Sequence, residues 1–115
     1  MKVIRPFQAA AGAVAADPRR PATAIVHDSP DVRSVVFRIG PGQVVAPHRS
    51  ASTVLLTTIS GRGIVSGADT EQEMQPGDVV VYEPNELHGM RATDDTFVLL
   101  ATITPRPGDR AQSAS

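Results

Sequence analysis

Turn-forming residues cut this chain of 115 residues into short extended runs. Pro76-Gly77 launches Asp78-Val79-Val80-Val81-Tyr82, Pro84-Asn85 ends it, and His88 opens the run that follows. β-Branched residues between a Pro-Gly and a Pro-Asn turn are the chemistry of a hairpin. The same plan stands upstream, where Gly40-Pro41-Gly42 opens Gln43-Val44-Val45-Ala46-Pro47-His48 before the apolar run Val54-Leu55-Leu56. Two histidines, each set by a Gly-led turn, can then meet inside one sheet closed on itself.

Taken in order, residues 1–22 form an N-terminal arm. Lys2 to Arg5 reads as a short strand, and the Ala-rich stretch Ala9 to Ala16 as one or two helical turns broken by Pro18-Arg19-Arg20-Pro21. This arm is expected to lie across the body of the chain or across a partner subunit. Ala22 to His27, Arg33 to Ile39, Gln43 to Ser50, Thr53 to Ile59, Ile64 to Ser66, Thr70 to Met74, the Val79 run, Leu87 to Ala92 and Thr96 to Thr104 read as strands. Pro47 marks an edge, because proline cannot donate to a sheet ladder. Thr53 to Ile59 is the most strand-like run and is expected to be interior. About nine or ten short strands without a long helix make the class all-β, sandwich or barrel. The body runs over 23–104, and 105–115 lacks any apolar period and reads as a disordered tail.

Composition removes several function classes. A formal net charge of -1 with 20% charged residues gives no electrostatic footprint for nucleic acid. No run approaches the roughly 20 apolar residues of a membrane span, so no membrane partner is expected. Phe7 to Ala16 faintly imitates a signal peptide, but its alanines are weakly hydrophobic, and a cytoplasmic protein is expected. The absence of cysteine leaves histidine and carboxylate to carry any metal. With no Trp and one Tyr, aromatic platforms for stacking sugars are scarce.

The glycine and histidine spacing resembles the cupin superfamily of small β-barrels. The first cupin motif has Gly, five residues, His, one residue, His, three or four residues, Glu, six residues, Gly. Gly42, His48 and Gly61 fall at those places, while Ser50 stands at the second His and Val54 at the Glu. The second motif has Gly, five residues, Pro, one residue, Gly, two residues, His. Gly77 and His88 match it, with Glu83 at the Pro and Asn85 at the Gly, where it tolerates the same left-handed turn. The resemblance covers Val35 to Ile103 and is nearest to small single-domain, RmlC-like cupins. It implies a double-stranded β-helix, or jelly-roll barrel, with a degenerate metal motif.

Within that plan His48, Ser50 and Val54 line a pocket with His88, and Leu56, Met90 and Phe97 form its apolar wall. Strand alternation puts His48 and Ser50 on one face. Catalytic zinc takes three protein ligands plus water, and non-haem iron takes two His plus a carboxylate. His48 and His88 are an incomplete set, so a divalent metal (zinc, iron, manganese or nickel) would be held weakly. Glu83, Glu86, Asp94 and Asp95 are the loop carboxylates that could complete it, and solvation explains them more simply. His27 matches no motif, and alternation turns Arg49 and Arg91 away from the pocket. The expected role is a cupin-domain protein that binds a small molecule as a sensor or accessory protein. The alternative is a cupin-type enzyme, either a metal-dependent dioxygenase or a metal-free isomerase or cyclase with a histidine base. Apolar Val3, Ile4 and Phe7 in the arm, with an exposed sheet edge, lead to the expectation of a homodimer.

Overall fold

A computed structural model describes residues 1–108. Among them are one short helix, α1 (Pro6–Gly12), and nine strands. These are β1 (Ala22–Asp28), β2 (Arg33–Ile39), β3 (Val44–His48), β4 (Thr53–Ser60), β5 (Gly63–Ser66), β6 (Glu71–Met74), β7 (Val79–Tyr82), β8 (His88–Ala92) and β9 (Phe97–Thr104). They form two antiparallel sheets, β1-β2-β9-β4-β7 and β3-β8-β5-β6, that pack face to face as a jelly-roll barrel. β9 is the middle strand of the larger sheet, and β4 is paired on both sides, by β9 and β7. β3 is an edge strand, which fits a proline at position 47.

The alternation of β2, β4 and β9 explains the core. Val35, Phe37 and Ile39, Val54 and Leu56, and Phe97, Leu99, Ala101 and Ile103 all point inward and are buried against Val65, Met74 and Met90 of the facing sheet. Each fully buried Leu, Ile or Phe of this set contributes roughly 1.5–3 kcal/mol. The corner between β4 and β5 closes one end of the barrel and needs two glycines for separate reasons. Gly61 has a φ of 74° and an ideal Cβ there would lie 1.8 Å from the Thr96 carbonyl oxygen. A Cβ on Gly63 would lie 2.1 Å from Cδ2 of Phe97, so the ring occupies the space that a side chain would take.

The arm differs from expectation in its elements. Lys2 to Arg5 forms no strand, and the helix begins at Pro6 rather than Ala9. Proline in the first helical position has its φ already set and its missing N–H is one the helix would not use, so Pro6 is a better start than the alanines behind it. The helix lies on the outer face of the larger sheet, where Ala10 packs with Val36 and Val98. The Arg38 guanidinium donates to the carbonyls of Ala10 and Ala11 at the C-terminal end of the helix, where the Ala10 carbonyl also accepts the Ala13 N–H. Gln43 donates to the Pro18 carbonyl and fixes the rest of the arm. Thus the arm crosses its own barrel.

Of the segment from Pro105, read as a disordered tail, Pro105 to Gly108 are described and lie against the barrel. The Ser52 hydroxyl donates to the Pro105 carbonyl at 2.7 Å, Arg106 is paired with Asp28, and Pro107 is buried. The remainder of the tail lies outside the described residues.

Candidate functional site

The two motif histidines meet. His48, the last residue of β3, is the cross-strand partner of His88, the first residue of β8. Their ring centroids are 4.2 Å apart with planes tilted by 57°. Across the interior, the ring of Tyr82 from β7 stands 4.9 Å from that of His88. His88 is 2% exposed, whereas His48, on the edge strand, is half-buried.

Both rings are held the same way. Nδ1 of His48 lies 3.1 Å from the Ala46 carbonyl oxygen, and Nδ1 of His88 lies 3.2 Å from that of Glu86. A carbonyl only accepts, so Nδ1 carries a proton in each ring, and in a neutral ring Nε2 then carries the lone pair. Both Nε2 atoms are buried and have no hydrogen-bond partner among the described residues. Leaving such atoms unpaired costs about 1–3 kcal/mol each, a cost that a hydrogen-bond donor entering the site removes. Burial, opposed by the Glu86 carbonyl and assisted by the neighbouring His48, holds His88 below the ordinary histidine pKa. It is therefore neutral at pH 7 and can accept a proton.

Tyr82 was not singled out in the sequence, although it is the only tyrosine and alternates with Val80 on the strand leading to His88. Its hydroxyl donates to the Ser66 carbonyl at 2.8 Å, and burial, with Glu86 nearby, pushes its pKa up to about 12. Tyr82 is thus a fixed wall for His88 and not a free acid.

The other expected site residues divide. Val54, Leu56 and Met90 are buried in the core between the sheets. Phe97 is fully buried against Gly63 at the closed corner, and it does not line the cavity that His48 lines. Ser50 is not on β3, which ends at His48, so alternation does not govern its side chain. The Ser50 hydroxyl accepts the Ser52 N–H at 3.1 Å, and the Ser50 carbonyl accepts the Asn85 N–H at 2.7 Å. Ser50 therefore clasps the β3–β4 loop to the turn before β8. Asn85 in that turn has a φ of 70°, the left-handed conformation for which the motif otherwise uses glycine.

The cavity beside His48 is about 430 Å³, within the usual range of small-molecule sites. Its walls are Val35 and Phe37 of β2, Val45 of β3, and Ile103 of β9, with Thr23, Ile25 and Arg33 at one side and Pro107 over them. A groove of about 440 Å³ under the arm, lined by Ala13, Pro18 and Arg38 among others, contains no histidine.

A metal would need more than this pair. Among the described residues no three His, Cys, Asp or Glu side chains gather as a ligand set. Glu86, the nearest carboxylate in sequence to His88, accepts the Glu83 N–H at 2.7 Å, and Asp94 and Asp95 are exposed. Arg91 is paired with Glu71, and Arg49 donates to the Asn85 carbonyl. The described residues do not fit a tightly held catalytic metal, although two buried imidazole Nε2 atoms stand without a partner among them.

Comparison with known proteins agrees with the geometry. The family model described as "Cupin domain" matches residues 35–103. The chain is a cupin. No curated protein sequence matches it. Among solved structures this cupin is similar to an RmlC-like cupin protein from Desulfovibrio desulfuricans, with 28% identity, a TM-score of 0.77 and coverage of 91% of this chain and 97% of that one. It is also similar to KdgF from Halomonas sp., with 22% identity, a TM-score of 0.75 and coverage of 82% and 87%. The DMSP lyase DddQ from Ruegeria pomeroyi DSS-3 aligns with 19% identity and a TM-score of 0.72 over 90% of this chain and 55% of that one. The last two share the fold alone. No helix among the described residues is long and apolar enough to cross a membrane.

Proposed function

We propose that this cupin binds a small molecule in the barrel cavity, next to His48 and His88, and acts as a sensor or accessory protein. The observation that carries the reading is the pair of buried, unpartnered Nε2 atoms, each with its Nδ1–H fixed on a backbone carbonyl. Such a pair accepts hydrogen bonds from a hydroxyl or N–H group of a ligand and discriminates against analogues that lack one. Apolar Val35, Phe37, Val45 and Ile103 supply the contact area. The chain has no cysteine, and the Ser50 and Ser52 hydroxyls are engaged in the loop.

A second reading, an isomerase or cyclase with a histidine base, is favoured by one observation. His88 is kept neutral by burial and has a free Nε2, which is the state that a general base requires. The metal-dependent dioxygenase alternative is less supported, because no third ligand gathers with the pair among the described residues.

The test is native mass spectrometry and metal analysis of protein purified without chelator or added metal. A co-purifying organic molecule that is lost in the double variant His48→Ala, His88→Ala supports the binding reading. A full equivalent of iron, manganese or zinc overturns it in favour of a metalloenzyme.

A further inference from the structure

The groove under the arm, about 440 Å³, has walls from two different segments. The arm supplies one, between Ala13 and Arg20, and the barrel supplies the other with Arg38 of β2, Gly40, Gln43 and Thr96. Two guanidiniums line it, Arg20 from the arm and Arg38 from the barrel, and no carboxylate does. Neither arginine has an ion-pair partner among the described residues. Asp17, the one acid of the arm, is held by the Arg19 guanidinium at 3.2 and 2.9 Å. That side-chain contact is the main cause that keeps Asp17 below its ordinary pKa, and Arg20 is the least. Asp94 and Asp95, which precede Thr96, are exposed and lie outside the lining. The barrel wall is also fixed. Nη1 of Arg38 donates to the Ala10 and Ala11 carbonyls, which positions the fork while its Nε and Nη2 have no partner among the described residues. The Gln43 carboxamide accepts the Gly40 N–H at 2.7 Å and donates to the Pro18 carbonyl at 3.0 Å, so it joins the two walls.

We infer that this groove is a second binding site, for a phosphate monoester, with the dianionic head between Arg20 and Arg38 and a small apolar body against Val14 and Pro18. A planar guanidinium donates pairs of parallel N–H···O bonds. Two such forks from opposite walls suit a group with close to two negative charges and three acceptor oxygens. Val14 is 84% exposed at the rim beside Ala13 and Ala15, and covering it gives the body of the ester its contact area. The site shares no lining residue with the cavity beside His48, so it stands apart from the binding reading above. Because one wall is the arm, a bound ester also ties the arm to the barrel.

The experiment titrates the full-length ¹⁵N-labelled protein with phenyl phosphate, benzenesulfonate and inorganic phosphate in amide correlation spectra, at about pH 7.5, where the ester is a dianion. The expected result is saturable shifts at Ala13, Ala15, Arg20, Gly40, Gln43 and Thr96. Phenyl phosphate should bind about tenfold or more tightly than the singly charged sulfonate, on the scale of one charge-assisted hydrogen bond, and more tightly than inorganic phosphate. The Arg20 side chain makes no hydrogen bond among the described residues, so Arg20→Gln leaves the arm's own contacts in place. In that variant phenyl phosphate should fall to about the affinity of the sulfonate. Equal affinities of phenyl phosphate and sulfonate on the wild-type chain overturn the site for a dianion. Inorganic phosphate bound as tightly as the ester overturns the apolar body. A phosphate preference that survives in Arg20→Gln overturns the bridge between the two walls. Shifts confined to Val35, Phe37, Val45 and Ile103 put the probe beside His48 and overturn the groove as its site. No binding of any of the three overturns the inference and leaves the cavity reading standing. The three-probe comparison needs no variant, so it decides the charge question by itself.

Discussion

His88 makes the stability of this barrel depend on pH in a defined window. In the folded chain its pKa lies below the ordinary 6.5, because burial penalises the imidazolium. In the unfolded chain it takes the ordinary value. Between these two values the unfolded state binds more protons than the folded state, so the stability falls as the pH falls. The contribution is fully present above about pH 6.5 and is lost on the way down to the folded pKa. One group that changes by a full proton gives a slope of at most about 1.4 kcal/mol per pH unit. With a urea dependence on the order of 1–3 kcal/mol/M, the midpoint should fall by roughly 0.5–1.4 M per unit across the steepest part.

Urea unfolding followed by circular dichroism, with EDTA present and the pH lowered from about 8 to 5, reads this directly. Asp28 does not interfere, because its loss of partners belongs to the window between its ordinary 3.8 and about 2. In His88→Gln the decline between about pH 6.5 and 5 should disappear, whatever that variant costs in absolute stability. A wild-type midpoint that is flat or rises as the pH falls refutes the reasoning. So does a His88→Gln variant that keeps the full wild-type slope, since some other group would then be the source.

Three further outcomes are expected. Gly63→Ala should lower the melting temperature by about 5 °C or more, because its Cβ must displace the buried ring of Phe97 and overpacking costs about 1–3 kcal/mol; an unchanged melting temperature would show that the corner can relax. Light scattering should give the mass of a homodimer, since edge strand β7 exposes Val79 and Val81 at 51% and 52% and α1 exposes Phe7 at 58%; a monomer at all concentrations would contradict it. Zinc or nickel added to metal-free protein should bind weakly and lose affinity below about pH 6.5, and calorimetry should find no binding in His48→Ala or His88→Ala; tight binding, or binding that survives either change, would mean that the pair is not the site.

The fold was legible because turn chemistry is local. Gly40-Pro41-Gly42, Pro76-Gly77 and Pro84-Asn85 each end or start a strand where they stand, and Asn85 adopts the positive φ that the motif position demands. The signal at Pro6 was equally local, but the alanines behind it have the higher helix propensity and drew the reading toward them. At Ser50 the error was one of extent. Alternation applies only while the strand lasts, and β3 stops at His48, where the loop turns to meet Asn85. Phe97 has the inward parity expected of it, but parity does not say how far along the barrel a residue sits. Its depth follows from the β4–β5 corner that closes over it.

The cavity itself was not legible, and the reason lies in the mismatch between the two sheets. Five strands face four, so the larger sheet overhangs at β1, whose neighbour in space across the cavity is the edge strand β3. Thr23 and Ile25 pair with Phe37 and Val35 and so share their inward face, yet Ile25 is 59% exposed because no strand of the smaller sheet covers it. Read along the sequence, an exposed isoleucine at an inward position is a contradiction. In three dimensions it marks the opening. The same mismatch explains why the two histidines differ. His48 is on the last strand before the gap and is half-buried at the cavity wall, whereas His88 is one strand further in, beside Tyr82, and is 2% exposed. Ile25 and His48 thus share the cavity wall, while His88 stands behind His48 and outside that wall. The difference in burial between the two rings is a consequence of strand count, and filling the overhang with Ile25→Trp should close the cavity while urea unfolding finds the pH window of His88 where it was; a shifted window would show that the two are coupled.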